Sequence, residues 1–197
     1  MKTLRKDVIL EFDKVKSTHL EKEILKKLNH PFLVSLEYIF QTDYKIFFVL
    51  NFVRGGELFT HLANAGHFKE HQAKFYAAQV ALALGHLHEN QVIYRDLKPE
   101  NVMIAEDGYL QVTDFGISKQ LELDEKAYSF CGTPEYISPE MLQGRGHSYP
   151  VDWWTLGILT YEMIIGFPPY YVHDGSDQDH QKMYEMIKKD AVDFIAP

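Results

Sequence analysis

The stretch VIYRDLKPENVMIAEDGYLQVTDFG, residues 92–116, decides how this chain is read. Asp96 and Asn101 stand five residues apart, and Asp114 lies 18 beyond Asp96. Two short β-forming runs, NVMIA and LQVTDF, flank the polar turn EDG, a hairpin signal. Such an arrangement can bring oxygen-bearing side chains from two loops to one cleft. Carboxylate and amide oxygens are hard ligands that suit Mg²⁺, which usually also takes substrate phosphate oxygens. A carboxylate left off the metal can accept a hydroxyl proton or orient a nucleophile. Lys98 supplies a point charge for a phosphoryl group in transfer. Each residue alone reads as an ordinary turn former; Arg95, Asp96, Lys98, Asn101 and Asp114-Phe115-Gly116 together do not.

Outward from this stretch, strand-like runs cluster early and helices late. Residues 17–28 place Leu20, Ile24, Leu25 and Leu28 on one helical face. FLVSLEYIF and KIFFVLNFV are rich in β-branched and aromatic residues and are joined by the polar QTDY. ELFTHLANAG reads as a short helix ending at Gly66. HQAKFYAAQVALALGHLHEN reads as a long one with Ala73, Tyr76, Ala77, Val80, Leu84 and Leu87 on one stripe. A loop to about Pro150 follows, then a helix over residues 151–166 buried on nearly all sides, then the amphipathic HQKMYEMIKK. The pattern predicts an α+β fold with a small strand-containing part and a larger helical part.

The bulk numbers agree with a soluble, folded protein. The 197 residues are 46% hydrophobic and 24% charged, enough for a real core in one domain. A net charge of −8 argues against a nucleic-acid partner and favours basic ones. The apolar stretch 151–166 is interrupted by Asp152 and Glu162 and falls short of the roughly 20 residues of a membrane span, so none is expected. The single cysteine, Cys131, fits a reducing compartment: the cytoplasm, with the nucleus as a further location. Ten histidines include His67 and His71, and His86 and His88, but no carboxylate or cysteine set completes a zinc site.

YRDLKPEN, DFG, GTPEY and SPE, in this order and spacing, resemble the catalytic loop, metal loop, P+1 loop and end of the activation segment of a eukaryotic protein kinase. The resemblance extends along essentially the whole chain. Tyr94, FCGTPEY and VDWWTLG resemble the AGC group, relatives of protein kinase A and Akt, and LKPEN marks serine/threonine rather than tyrosine kinases. The implied architecture is the two-lobed kinase fold. Residues 1–50 would be a remnant of the small lobe (its third to fifth strands and αC helix), residues 51–56 the hinge, and residues 57–197 the large lobe without its last helices. The implied activity is transfer of the ATP γ-phosphate, with Mg²⁺, to Ser/Thr of protein substrates.

By the same resemblance, Asp96 accepts the substrate hydroxyl's proton, Lys98 contacts the γ-phosphate, and Thr133 ties the P+1 loop to both. Asn101 and Asp114 hold Mg²⁺. Leu50 is the gatekeeper, the backbone of Asn51 to Val53 meets adenine, and Glu57 and Met103 line the nucleotide site. Arg95 beside the catalytic Asp implies control by phosphorylation of Ser129 by an upstream activating kinase. Glu57, Glu100 and Glu162 match the acidic residues that read arginines N-terminal to the target, so substrates with basic motifs are expected. Glu162 is the most telling, because an unpaired carboxylate in an apolar helix is costly.

The chain holds no G-x-G-x-x-G, and VDFIAP (residues 192–197) resembles a segment before the last large-lobe helices. This implies a kinase domain incomplete at both ends. A truncated kinase-like binding or scaffold module with little activity is the alternative, and a small-molecule phosphotransferase is disfavoured by GTPEY and SPE. The first ten residues, MKTLRKDVIL, follow no clean helix or strand period. They match the end of the third strand in AGC kinases, making Lys2 the lysine that pairs the ATP α/β-phosphates and Glu21 its αC partner. Thr18-x-x-Glu21 also fits a capping box, in which Glu21 would serve only its own helix.

Overall fold

A computed structural model describes residues 1–171 and 177–189; VDFIAP lies outside the described residues. The missing period of the first ten residues has a simple cause, since they form two elements. Strand β1 (Lys2–Arg5) runs straight into the short helix α1 (Lys6–Glu11), and α2 (Val15–Lys27) follows. Strands β2 (Leu36–Gln41) and β3 (Lys45–Leu50) form a hairpin closed by the Thr42 amide on the Lys45 carbonyl at 2.8 Å. The antiparallel sheet has the order β1-β3-β2, with Lys2 opposite Phe48 and Phe48 fully buried.

Both apolar strand runs are shorter than their composition suggests, for one physical reason. The start of FLVSLEYIF leaves the sheet and pairs with the larger part: the Val34 amide donates to the Val112 carbonyl (3.0 Å), and the Val112 amide to Phe32 (2.9 Å). Backbone donors must find partners wherever the chain runs. Here the apolar run becomes a clip between the two parts of the fold. Residues 51–53 likewise leave β3; the Asn51 amide bonds the Ser35 carbonyl.

The larger part comprises α3 (Leu58–Ala65), α4 (Glu70–Glu89), β4 (Val92–Ile93), β5 (Val102–Ile104), β6 (Leu110–Val112), β7 (Lys119–Gln120), α5 (Pro139–Gln143), α6 (Pro150–Ile165) and α7 (Asp177–Lys189). Strands β5 and β6 form the expected hairpin, with Val102 opposite Val112, while β4 pairs with β7. The stripe of α4 is buried at Ala73, Val80, Leu84 and Leu87, and packs with Leu58, Leu110, Phe115 and Leu159. Each fully buried side chain of this size contributes about 1.5–3 kcal/mol. The segment expected as loop before Pro150 contains α5, too short to show a helical period. Helix α6 is buried on one broad face rather than nearly all round, with Trp153 and Gly157 outward. Its C-terminal Gly166 (φ +99°) abuts Gly66, the C-cap of α3; an added Cβ would fall 2.3 Å from the Gly66 carbonyl oxygen. Among the described residues, no helix is long and apolar enough to cross a membrane.

Candidate active site

The loop after β4 is fixed from below by one buried carboxylate. Asp152, fully buried on α6, accepts the backbone amides of Tyr94 (2.9 Å) and Arg95 (2.8 Å) and meets His88 Nε2 at 2.7 Å. Tyr94 is itself fully buried; its hydroxyl donates to the Thr113 carbonyl, and its ring meets Phe115 edge-on at 5.7 Å. Arg95 and Asp114 both adopt left-handed backbone conformations (φ +68° and +59°). Such strain costs about 1–3 kcal/mol per residue and persists only where the surroundings over-determine it. The loop from β4 and the turn after β6 are thus locked to each other.

On this base sit the side chains singled out by sequence. Asn101 Nδ2 donates to both the carbonyl and the Oδ2 of Asp96, each at 2.8 Å. Lys98 Nζ lies 3.5 Å from Asp96 Oδ1 and donates to Thr133 Oγ1 at 3.0 Å, joining the loop to the GTPEY segment. Burial raises the Asp96 pKa against the opposing pull of Lys98 and Asn101, which makes it a better proton acceptor than an exposed aspartate.

Across the cleft, Lys2 bonds Glu21 Oε1 at 2.6 Å and Asp114 Oδ1 at 2.9 Å. Burial opposes the lysine's charge, but its two carboxylate partners prevail and raise its pKa. Burial likewise opposes the Asp114 carboxylate, and Lys2 with the Gly116 amide holds it below the usual range. Glu21, 3% exposed, is raised because its burial outweighs Lys2. The capping-box alternative is excluded: α2 begins at Val15, three residues before Thr18, and Glu21 points to Lys2. Gly116 leaves the room these groups need, since an added Cβ would sit 3.1 Å from Asp114 Oδ1 and 3.7 Å from Lys2 Nζ.

A cleft of about 300 Å³ opens beside this triad, lined by Lys2, Glu21, Leu50, Glu57, Glu100, Asn101, Met103 and Asp114, with Val34 and Leu25 among its apolar walls. The Asn51 side chain lies outside it, accepting the Ser35 amide (2.7 Å) and donating to Gln111 (2.6 Å), while Val53 is buried. Gly55 allows the backbone that follows to lie against β5, its amide bonding the Ile104 carbonyl at 2.8 Å. Two further features adjoin the loop. Arg95 Nη1 donates to the exposed Ser129 hydroxyl at 2.7 Å. Buried Glu162 accepts the Tyr136 hydroxyl, and burial, reinforced by Glu100 and Glu135 and opposed by Tyr136, pushes its pKa up to about 7.

Comparison with known proteins identifies the family. The sequence model of the protein kinase domain matches residues 1–196. The chain belongs to the protein kinase domain family. It is 50% identical over 187 residues to protein kinase 2 of Dictyostelium discoideum, covering 95% of this chain and 38% of that protein. Identity is 48% to a RAC family serine/threonine-protein kinase homolog of the same organism (98% and 43% covered) and 49% to human ribosomal protein S6 kinase alpha-2 (88% and 24%). These relatives are kinases of the AGC group. The chain therefore spans about a quarter to two-fifths of the length of these relatives.

In this kinase domain, sequence reading missed the role of Asp152. Its only signal was a carboxylate in an otherwise apolar helix, which had served merely to argue against a membrane span. A buried charge needs compensating donors, but the sequence does not name them: the two amides lie 58 and 57 residues away.

Proposed function

We propose that this domain transfers the γ-phosphate of ATP to serine or threonine hydroxyls of protein substrates. The observation that carries this reading is the Asp96–Lys98–Thr133 bridge standing opposite the Lys2–Asp114 pair. Asp96 shares one opening with Lys2 and Asp114, while Lys2 and Asp114 also line the adjoining cleft with Asn101, so a proton acceptor, a cation and a metal-type carboxylate converge, with Lys98 held against Asp96. The residues suit Mg²⁺-ATP: the cleft lining combines apolar Val34, Leu50 and Met103, which fit a purine, with Lys2 and Asp114, which fit phosphate and metal. Asn101, whose Nδ2 is turned to Asp96, presents its amide oxygen away from it; that oxygen and the Asp114 carboxylate would hold Mg²⁺. When bound, Mg²⁺-ATP supplies the phosphoryl group and neutralises part of its charge.

Asp96 orients the substrate hydroxyl and takes its proton as the new O–P bond forms and the β–γ bridge breaks. Asn101 and Lys98 keep it in place. Lys98 and Lys2 offset negative charge on the phosphates, and Glu21 holds Lys2 at its post. The backbone of residues 51–53 serves as hinge and meets adenine. Glu57, Glu100 and Glu162 read arginine N-terminal to the target, and Ser129, held by Arg95, is the site of activating phosphorylation by an upstream kinase. Cytoplasmic, with nuclear access, is the compartment this activity fits.

Asp96→Asn tests the reading. Phosphotransfer to a serine peptide should fall about 100- to 10,000-fold, the range for loss of a general base, while Mg²⁺-ATP still raises Tm. Unchanged transfer would defeat the proposal. An oriented peptide library tests the substrate class, with enrichment of acidic or proline-directed sites as the contrary result.

A further inference from the structure

His147 stands out in the activation region. It is 4% exposed, and among the described residues its buried Nε2 has no hydrogen-bond partner. An orphaned buried donor or acceptor costs about 1–3 kcal/mol, so its position calls for a compensating state. Its backbone is not free: it exchanges two 2.8 Å hydrogen bonds with Ala127, in an antiparallel bridge two residues before Ser129. The charged groups whose fields reach its ring are those of Arg95 beside Asp96, Lys119 on β7 and Asp152 on α6. Lys119 is already engaged by Glu125 at 2.8 Å, and Asp152 by two amides and His88. Arg95 spends Nε and Nη2 on the Ile117 carbonyl and keeps only Nη1 for Ser129.

We propose that His147 is a positioning residue for phosphorylated Ser129, completing with Arg95 a cationic site that holds the activation segment. The inference rests on Ser129 being the phosphosite, as read above. A phosphoserine carries three acceptor oxygens and about −1.5 to −2 charges, more than one Arg95 nitrogen can satisfy. His147 Nε2 is a buried ring nitrogen beside this segment that makes no hydrogen bond among the described residues. In the unmodified chain burial, with Arg95 and Lys119 and against Asp152, lowers the His147 pKa and so disfavours the imidazolium. A phosphate dianion bonded to Arg95 cancels the cationic field and favours the imidazolium, which donates from Nε2. His147 thereby couples the modification to the Ala127–His147 bridge and so to the segment's conformation.

The test uses the whole 197-residue chain with phosphoserine placed at position 129 by genetic encoding, independent of any upstream kinase. Histidine ring NMR titration, assigned with His147→Gln, should show the His147 pKa rising by about one unit or more on phosphorylation, the size of shift an adjacent opposite charge gives. Phosphorylation should raise Tm in the parent and do so less in His147→Gln. An unmoved His147 titration overturns the proposal whatever the Tm values; should His147→Gln not fold, His147→Asn supplies the assignment. The phosphosite reading fails separately, if Ser129→Ala leaves activation by the upstream kinase intact. The His147 shift would then still show the site.

Discussion

The two halves of the candidate site are held in different ways. The loop carrying Asp96 is anchored by buried hydrogen bonds from backbone amides to Asp152, supplied by a helix of the same large part. Lys2 instead reaches from the small sheet to Glu21 on α2 and Asp114 after β6, joining three elements by ion pairs alone, with Asp114 nearly half exposed. A buried carboxylate with all its bonds made is costly to disturb, whereas a partly exposed ion pair breaks and re-forms cheaply. The first half is therefore a fixed platform. The second is expected to yield first at its more exposed Lys2–Asp114 arm.

This difference predicts effects of descending size. Asp152→Ala strikes the platform and leaves the Tyr94 and Arg95 amides unpaired. It should cost about 3 kcal/mol, lowering Tm by about 6–12 °C for a chain of this length, with transfer abolished. A Tm within 2 °C of the parent would break the contrast. Lys2→Met strikes the half held by ion pairs. It should lower phosphotransfer about 100- to 1,000-fold, comparable to removal of one electrostatic contact to a transition state, yet shift Tm far less than Asp152→Ala. Burial already favours protonated Glu21, so the orphaned carboxyl can neutralise. A Tm loss equal to that of Asp152→Ala would show the two halves to be equally structural.

How much of this was legible in the sequence follows the same division. Asp96, Lys98, Asn101 and Asp114 could be found because their chemistry lies within 19 consecutive residues. The Lys2–Glu21 pair was reached only through the family's spacing, since neither residue's local pattern points to the other. Phe32–Ser35 read as strand because composition cannot say which partner a β-forming run will pair with; Val112 decides that from 80 residues away. Asp152 was visible as an oddity but not as an anchor, and nothing in the sequence marks His147 as buried, because only the fold buries it.

Smaller effects sharpen the account at its edge. Ser129→Ala should leave Tm and basal transfer within about twofold and abolish only the response to an upstream kinase, measured as the activity ratio before and after treatment. Glu162 should impose a pH dependence. Its folded pKa of about 7 stands above its ordinary 4.5, so its contribution to stability is fully present below 4.5 and lost as pH rises through 7. Protonated Glu162 cannot pair with arginine. KM for an arginine-containing peptide should accordingly rise as pH falls below about 7, and Glu162→Gln should make it high and flat. A parent KM independent of pH between 6 and 8 would remove Glu162 from substrate reading.

The central claim is that Asp96, Lys98, Asn101 and Asp114 form a phosphotransfer site. The most direct measurement is transfer of label from γ-labelled ATP, with Mg²⁺, to a serine peptide with upstream arginines, comparing the parent chain with Asp96→Asn. The account predicts labelled phosphoserine from the parent and a loss of at least about 100-fold in the variant, with nucleotide binding retained. No label from the folded, nucleotide-bound parent, or transfer that survives Asp96→Asn, would contradict it.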